Sequence, residues 1–405
     1  MPMIAPEEAW ARIAHELESR PARSVSLPRR QAAGRTLAQD LAARVDVPAA
    51  DVSAMDGYAL SGDFVADGEP RPVVGAIRAG DPPGFVLPAG SAVRIMTGAP
   101  LPAGADRVIP VEQTDGGRDL VVLSAMPAAG DHIRHRGEIV HAGDPLLAAG
   151  ALIGPGTLAL LATHGYSEVP VVRPPTVAIL TTGDEVVPPE VEPAPGQLRD
   201  SHTDFLLAAC RSFGLTAESL GIAPDREDEL SVRIERGLGF DVLLLCGGVS
   251  MGEHDLVEGV LARLGCRILL DGVAIQPGQP MVFAVHDRGI VFGLPGNPAS
   301  VMACFWLFVR PALRRWLGST DGFWRGALAA ELAAPLAGAG GRDRFLTAEV
   351  AFSAGAIRAT PRLSRGSHDL AAFALGTALI RVRAGAPPQP AGAPCEILPL
   401  GDWRE

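Results

Sequence analysis

The chain has 405 residues, 47% of them hydrophobic, enough for more than one packed core. Its formal net charge of −11 gives no basic footprint, which argues against nucleic acid as a partner. All 35 basic residues are arginine, and the five cysteines (Cys210, Cys246, Cys266, Cys304, Cys395) form no CxxC pair, which reads as buried thiols in a reducing compartment.

Residues 1–10, MPMIAPEEAW, carry no basic-then-apolar signal pattern, and the longest apolar run, 301–309, is too short to span a bilayer. A cytoplasmic protein without a membrane partner is expected. Residues 6–20 predict an amphipathic helix, with Trp10, Ile13, Ala14 and Leu17 on one face and Glu7 and Glu8 in its first turn. Residues 27–43 predict a second short helix. From Asp46 to about Ile139 the chain is rich in Gly, Pro and Val with short apolar runs, the pattern of a small β domain. Residues 141–172 return to helix, with Leu158, Leu161 and Ala162 as its apolar stripe. The expected organisation is therefore a discontinuous helical/linker domain (1–44 and 140–174) with a β domain (45–139) inserted into it.

After Pro174-Pro175 the pattern alternates. Strands are predicted at 177–180, 217–221, 242–245, 281–285 and 290–292, and helices at 201–213, 226–235, 255–264 and 299–316. This is a doubly wound α/β domain, placed at 175–320. Residues 321–405 hold short strands at 345–352 and 378–382, broken by Gly and Pro, and read as a small C-terminal β domain. The fold class is thus α/β multidomain.

Three strands of the α/β domain end in the same grammar. DVLLLCGGVSMGEHD (241–255) runs from an apolar strand into Gly247-Gly248, Ser250, Glu253 and Asp255. VAILTTGDE (177–185) ends in Thr182, Gly183, Asp184 and Glu185, and IVFGLPGNPAS (290–300) ends in Pro295, Gly296, Asn297 and Pro298. Ligands of open α/β sheets sit at this carboxyl edge, where backbone N–H groups hold anions and carboxylates hold hard cations such as Mg²⁺. Asp225 follows another strand of the set. Such acids can equally cap the helices that follow them.

Elsewhere, SAMDGY (53–58) places Asp56-Gly57 either in a plain turn or in a rigid one that projects the acid. RIMTGAP (94–100) offers Thr97-Gly98 to an oxyanion. RHRGE (134–138) sets Arg134 and Arg136 on one face of an extended segment, as a solvated basic patch or as a clamp for phosphate or molybdate-like oxyanions. Gly366-Ser367-His368 reads either as a loop for phosphate or pterin contact or, for His368, as a plain exposed polar residue.

SAMDGY, RIMTGAP, RHRGE, TTGDE, GGVSMGEHD, PGQP and GLPGNPAS occur in this order across nearly the whole chain. Together they resemble the molybdopterin molybdenumtransferase family, the MoeA and gephyrin E-domain proteins. The resemblance implies an elongated homodimer of four-domain subunits that takes adenylylated molybdopterin and molybdate as substrates. With Mg²⁺ it hydrolyses the adenylate, inserts molybdenum into the dithiolene and releases AMP. It implies catalytic roles for Asp56, Thr97, Glu185, Asp225 and Asp255, with Glu185 and Asp255 as metal ligands. Thr182, Gly183, Asp184, Gly247, Gly248, Ser250, Pro295, Gly296, Asn297, Pro298, Arg134, Arg136 and Ser367 are its implied substrate contacts. A molybdopterin adenylyltransferase and recipient molybdoenzymes are the implied partners.

The chain departs from that pattern where charge matters. The family's KPGKP-type segment is here Gln276-Pro277-Gly278-Gln279-Pro280, so two lysines are replaced by neutral amides at substrate-binding positions. Each exchange removes the charge-assisted part of a contact, about 1–2 kcal/mol. The acid of an RRGED-type segment is here Ile139, and Val52 stands where the family has Asn. Two functions from different classes follow: an active molybdenum insertase, favoured by the retained acids, and a non-catalytic molybdopterin-binding paralogue (carrier, chaperone or regulator), motivated by the glutamine pair.

Overall fold

The computed structural model of the chain describes residues 3–20, 23–61, 68–82, 84–248, 256–319, 322–353 and 355–401. The chain divides into two compact units, one of residues 26–33 and 39–170, the other of residues 1–25, 34–38 and 171–405.

The larger unit is built on a six-stranded sheet: β1 (Val177–Thr182), β2 (Ala217–Ala223), β3 (Val242–Cys246), β4 (Arg267–Asp271), β5 (Val282–Val285) and β6 (Ile290–Leu294). Their order is β2-β1-β3-β6-β5-β4. The first four in that order run parallel, and β5 and β4 add an antiparallel edge. Every residue of β1, β3 and β6 is buried, as purely apolar runs dictate when helices cover both faces. Alternate residues divide between two cores. Ile179, Leu244 and Phe292 face Leu206 and Cys210 of the helix His202–Ser212; Leu180, Leu243 and Leu245 face Leu230 and Ile234 of the helix Glu227–Gly237 and Val257 of the helix Leu256–Arg263.

Trp10, Ile13 and Leu17 of the amphipathic helix Pro6–Glu18 join the first of these cores, as do Phe305 and Phe308. The predicted helix at 299–316 is continuous but contains a π turn at Phe305–Val309, between Pro298–Cys304 and Arg310–Trp316. The C-terminal strands close on themselves. Asp343–Ser353 pairs with Ala356–Pro361 on one side and with Ala378–Val382 on the other, completing a ring through Leu328–Leu332 and Pro394–Pro399. A two-residue strand, Ile275–Gln276, joins this ring in parallel with Asp343–Ser353.

The smaller unit holds a five-stranded sheet in the order Arg107–Pro110, Gly57–Leu60, Ala92–Ile95, Arg71–Ile77, Leu120–Val121. Its strands alternate between two cores. Ala59, Val93, Ile95 and Val108 fill one; Tyr58, Leu60, Ala92 and Ile109 fill the other.

Two helix expectations fail in part. Residues 27–43 form no α-helix: the strand Ser24–Pro28 is followed by one 3-10 turn, Arg29–Gln31, and by the strand Leu41–Ala42. Pro28 stands extended and Gly34 sits at φ 73°, so the run is cut twice. Of 141–172 only Pro155–Thr163 is helical, between the strands Pro145–Leu147 and Glu168–Val172. The edge strand β4 had no prediction. The five cysteines are free and four of them are buried; burial pushes the Cys210 thiol up to about 12, so it is no nucleophile at neutral pH. Among the described residues, no helix is long and apolar enough to cross a membrane.

Candidate functional site

The parallel register sets Thr181 beside Cys246 and Cys246 beside Leu294, so β1, β3 and β6 end level with one another. The loops that leave them line a cavity of about 540 Å³ in the larger unit. Thr182, Gly183 and Glu185 enter it from β1, Asp225 from beyond β2, Gly247 and Gly248 from β3, and Pro295 to Pro298 from β6.

The floor is backbone. Gly247 and Gly248 both have positive φ, at 91° and 63°. A Cβ on Gly247 would lie 2.6 Å from the Thr182 carbonyl oxygen, and one on Gly248 would lie 3.1 Å from Thr182 Oγ1 and 2.6 Å from Val257. Only glycine allows β3 to turn this close to β1. Thr182 Oγ1 is buried there without a hydrogen-bond partner among the described residues. A buried hydroxyl left unpaired costs about 1–3 kcal/mol, so it marks a place where a polar ligand atom belongs.

Carboxylates stand at the mouth. Asp184 Oδ1 accepts the Asp225 N–H at 3.1 Å, and a Cβ on Gly183 would meet Glu185 Oε2 at 2.7 Å. Burial, then the charges of Asp184 and Glu185, hold the Asp225 carboxyl above the usual carboxylate range. Asp184 itself faces an adjoining cavity, which it shares with Asp200 and Arg233. Among the described residues, no three His, Cys, Asp or Glu side chains are grouped so as to hold a metal ion. Ser250 and Asp255 lie outside the described residues.

A second cavity, of about 350 Å³, adjoins through Pro295 and Asn297, which line both. It brings Gln276, Gln279 and Ser367 together with Arg342 and Arg344. The Ser367 carbonyl accepts the Ala299 N–H at 3.1 Å, which ties the C-terminal loop to the helix that follows β6.

The remaining predicted residues belong to the smaller unit. Gly57 pairs with Ile95 in the antiparallel ladder, which brings Asp56 to the turn that follows Ala92–Ile95. Asp56 Oδ1 accepts the Thr97 N–H at 2.7 Å and the Thr97 hydroxyl at 2.8 Å. These bonds, the backbone one foremost, hold the Asp56 carboxyl below the usual range. A Cβ on Gly57 would lie 1.8 Å from the Ile109 carbonyl, so the glycine of this motif serves strand packing. Asp56 is therefore an exposed acid on a rigid turn, and the Asp56–Thr97 pair is assembled within the unit. Arg134 is exposed in the short strand Ile133–Arg134, while the Arg136 guanidinium pairs with Asp46 and its N–H with Asp51 at 2.7 Å.

Sequence reasoning missed Asp200, His202, Arg342 and Arg344. Asp200 is buried in the wall of the larger cavity, where it accepts the His202 and Thr203 N–H groups at 2.9 and 3.1 Å and the Thr203 hydroxyl at 2.6 Å. Asp-Ser ahead of a predicted helix is a capping signature and could have found it. The two arginines carry no local signal, because they reach the cavity from the C-terminal ring.

Comparison with known proteins shows the family. Three family models match in succession: the MoeA N-terminal region (domain I and II) over residues 4–165, a probable molybdopterin binding domain over 178–315, and the MoeA C-terminal region (domain IV) over 329–400. A molybdopterin molybdenumtransferase of Synechococcus elongatus is 38% identical over 300 residues, 71% of this chain and 74% of that one. One of Staphylococcus aureus is 31% identical over 98% of this chain and 95% of its own. A crystal structure of a molybdopterin biosynthesis MoeA protein from Pyrococcus horikoshii superposes with a TM-score of 0.85 at 30% identity, over 99% of this chain and 100% of that one. The chain belongs to the molybdopterin molybdenumtransferase family, a family of transferases.

Proposed function

We propose that this protein inserts molybdenum into adenylylated molybdopterin, with molybdate as the metal source and AMP as the leaving product. The observation that carries the reading is the buried Thr182 Oγ1, unpartnered among the described residues, in the Gly247-Gly248 cradle of the cavity that Glu185 and Asp225 also line. A close-approach backbone floor suits a phosphate-bearing ligand, and the orphaned hydroxyl can donate to one of its oxygens.

Breaking the phosphoanhydride separates AMP from the pterin phosphate, and both fragments are anionic. Uncompensated acids beside such a ligand repel it. Burial first, and then the charges of Asp184 and Glu185, already push Asp225 up in the protein alone. The acids fit a divalent cation: Mg²⁺ needs only one or two protein carboxylates, with water and substrate phosphate completing its shell. Glu185 is the described residue placed to hold it, and Asp255 is the second ligand of the proposal. When bound, Mg²⁺ supplies neutralisation of the charge that develops on the phosphates. The chain's own residues then have separate tasks. The cradle fixes the pterin phosphate and the stiff Pro295-to-Pro298 loop walls the reactive end; Asp56, held by Thr97 within the smaller unit, is the acid that its motif proposes for proton transfer.

The protein with adenylylated molybdopterin, molybdate and Mg²⁺ should release AMP stoichiometrically, followed chromatographically. Tight pterin binding without AMP release would reject the enzyme and leave the carrier reading. A homodimer in the cytoplasm belongs to the same proposal, and sedimentation equilibrium tests the dimer.

A further inference from the structure

Thr182 Oγ1 is not the only polar atom of the larger cavity that lacks a partner. His202 lines the same cavity, and its Nε2 is buried with no hydrogen-bond partner among the described residues. The backbone that carries this ring is fixed to the cradle. His202 opens the helix His202–Ser212, and Asp200 Oδ1 accepts its N–H at 2.9 Å and that of Thr203 at 3.1 Å. The Thr203 hydroxyl donates to Asp200 Oδ2 at 2.6 Å, which uses its only proton. The 3.0 Å contact between the Thr181 and Thr203 hydroxyls is therefore donated by Thr181. Strand β1 and the start of the helix are thus tied together at the residue next to Thr182. Asp200 gives its oxygens to the helix start, and the imidazole nitrogen stays unmet.

We infer that His202 is a second donor to the phosphate of the bound pterin: its Nε2–H and the Thr182 hydroxyl take two oxygens of one phosphoryl group seated over Gly247 and Gly248. This rests on the transferase reading, in which that phosphate belongs to molybdopterin. Of the described residues lining the cavity, Thr182 and His202 are the two with a buried, unpartnered side-chain atom. Such an atom destabilises the ligand-free protein, and a ligand atom that meets it removes the loss on binding. An ionised phosphoryl group offers only acceptors, so it calls for donors, and a hydroxyl and an imidazole supply one each. Burial foremost lowers the His202 pKa, against an upward pull from Asp200, so the ring is neutral at pH 7 with a single N–H. A neutral donor adds no charge that would pair with Glu185 or Asp225, which line the same cavity. The two donors meet the phosphate and not the pterin ring, so they select pterins that carry the phosphate over those that have lost it.

Titration calorimetry of the full chain with adenylylated molybdopterin, and with dephosphorylated molybdopterin as a second titrant, tests the inference. His202→Leu should weaken binding of the adenylylated ligand by about tenfold and leave the dephosphorylated one at the parent value. His202→Gln puts an amide NH₂ close to where Nε2 stood, so its affinity should stay within about threefold of the parent's; that recovery also excludes misfolding as the cause. In nitrogen-labelled histidine spectra of the parent, the His202 Nε2–H signal should move with the adenylylated ligand and stay in place with the dephosphorylated one. Affinity in His202→Leu equal to the parent's, or His202→Gln no better than His202→Leu, overturns the inference. So does an equal loss on both ligands, which would make His202 a contact of the pterin ring or a structural group. AMP release by the parent, measured alongside, separates the two failures. Turnover with an indifferent His202 sinks only the second donor, whereas no turnover and no pterin binding sinks the transferase reading as well.

Discussion

At the scale of single residues, Asp56 and Thr182 differ in what the surrounding protein already provides. Asp56 is satisfied: two donors from Thr97 hold its carboxyl below the ordinary range. Its folded value lies below its unfolded one, so its stabilisation is present above the unfolded value and is lost as pH falls through the folded one. Asp56→Asn keeps an amide oxygen for both Thr97 donors and removes only the charge. The melting temperature at pH 7 should fall slightly, by the charge-assisted part of the two Thr97 bonds, and pterin binding should persist, while AMP release falls by at least about 100-fold, the usual range for loss of an acid–base group. Turnover at the parent rate would sink the placement of Asp56. Thr182 is the reverse case, a buried hydroxyl left unpaired among the described residues. Thr182→Val substitutes a near-isosteric methyl, so the ligand-free protein should melt no lower than the parent, because an unsatisfied group has been removed. Pterin affinity should drop by about fivefold or more, read by calorimetry. A lower melting temperature together with unchanged affinity would make the hydroxyl a structural group and remove the main support for the cradle.

At the scale of elements, the cradle exists because β1 and β3 are neighbours with matched ends, so its test belongs to the turn. Gly247→Ala forces a side chain into φ 91° and drives Cβ to 2.6 Å from the Thr182 carbonyl. Backbone cannot move aside as a flexible side chain can, and a loss of about 2–3 kcal/mol is expected in denaturant titration, with pterin binding abolished. The same elements explain what could be read from the sequence. β1, β3 and β6 were legible because a strand buried on both faces is an unbroken apolar run, and nothing else so short reads that way. Their ends were legible because glycine and carboxylates interrupt such runs only for a reason. Residues 27–43 misled because Leu27, Leu37 and Leu41 fall near helical spacing, while Pro28 and Gly34 decide the backbone. The edge strand β4 was missed because four of its five residues, Arg267, Ile268, Leu269 and Asp271, are not fully buried and it lacks the continuous apolar signal. Arg342 and Arg344 were invisible for another reason: their role comes from a register between strands more than sixty residues apart, which no local window contains.

At the scale of the whole molecule, the larger unit joins three stretches of chain: its first residues, the α/β sheet and the C-terminal ring. The Phe345 ring of the C-terminal strands lies in the same core as Trp10 and Phe292. A buried ion pair lies at this junction. Arg381, whose side chain is only 4% exposed, donates through Nε to Asp343 Oδ2 at 2.7 Å and also pairs with Glu7 of the N-terminal helix. Its guanidinium carbon lies 5.1 Å from the Phe323 ring centroid, and Asp343 Oδ1 accepts the Ala384 N–H at 2.9 Å. Asp343 opens the strand Asp343–Ser353, so the register of that strand depends on this junction being set. Arg381→Gln leaves Asp343 ionised, buried and short of its cation, a loss of about 3–5 kcal/mol that should appear in urea denaturation. Adding Asp343→Asn removes the stranded charge, so the double variant should be more stable than Arg381→Gln alone. If the second substitution lowers stability further, the cost lies in lost packing over Phe323 and not in the uncompensated carboxylate.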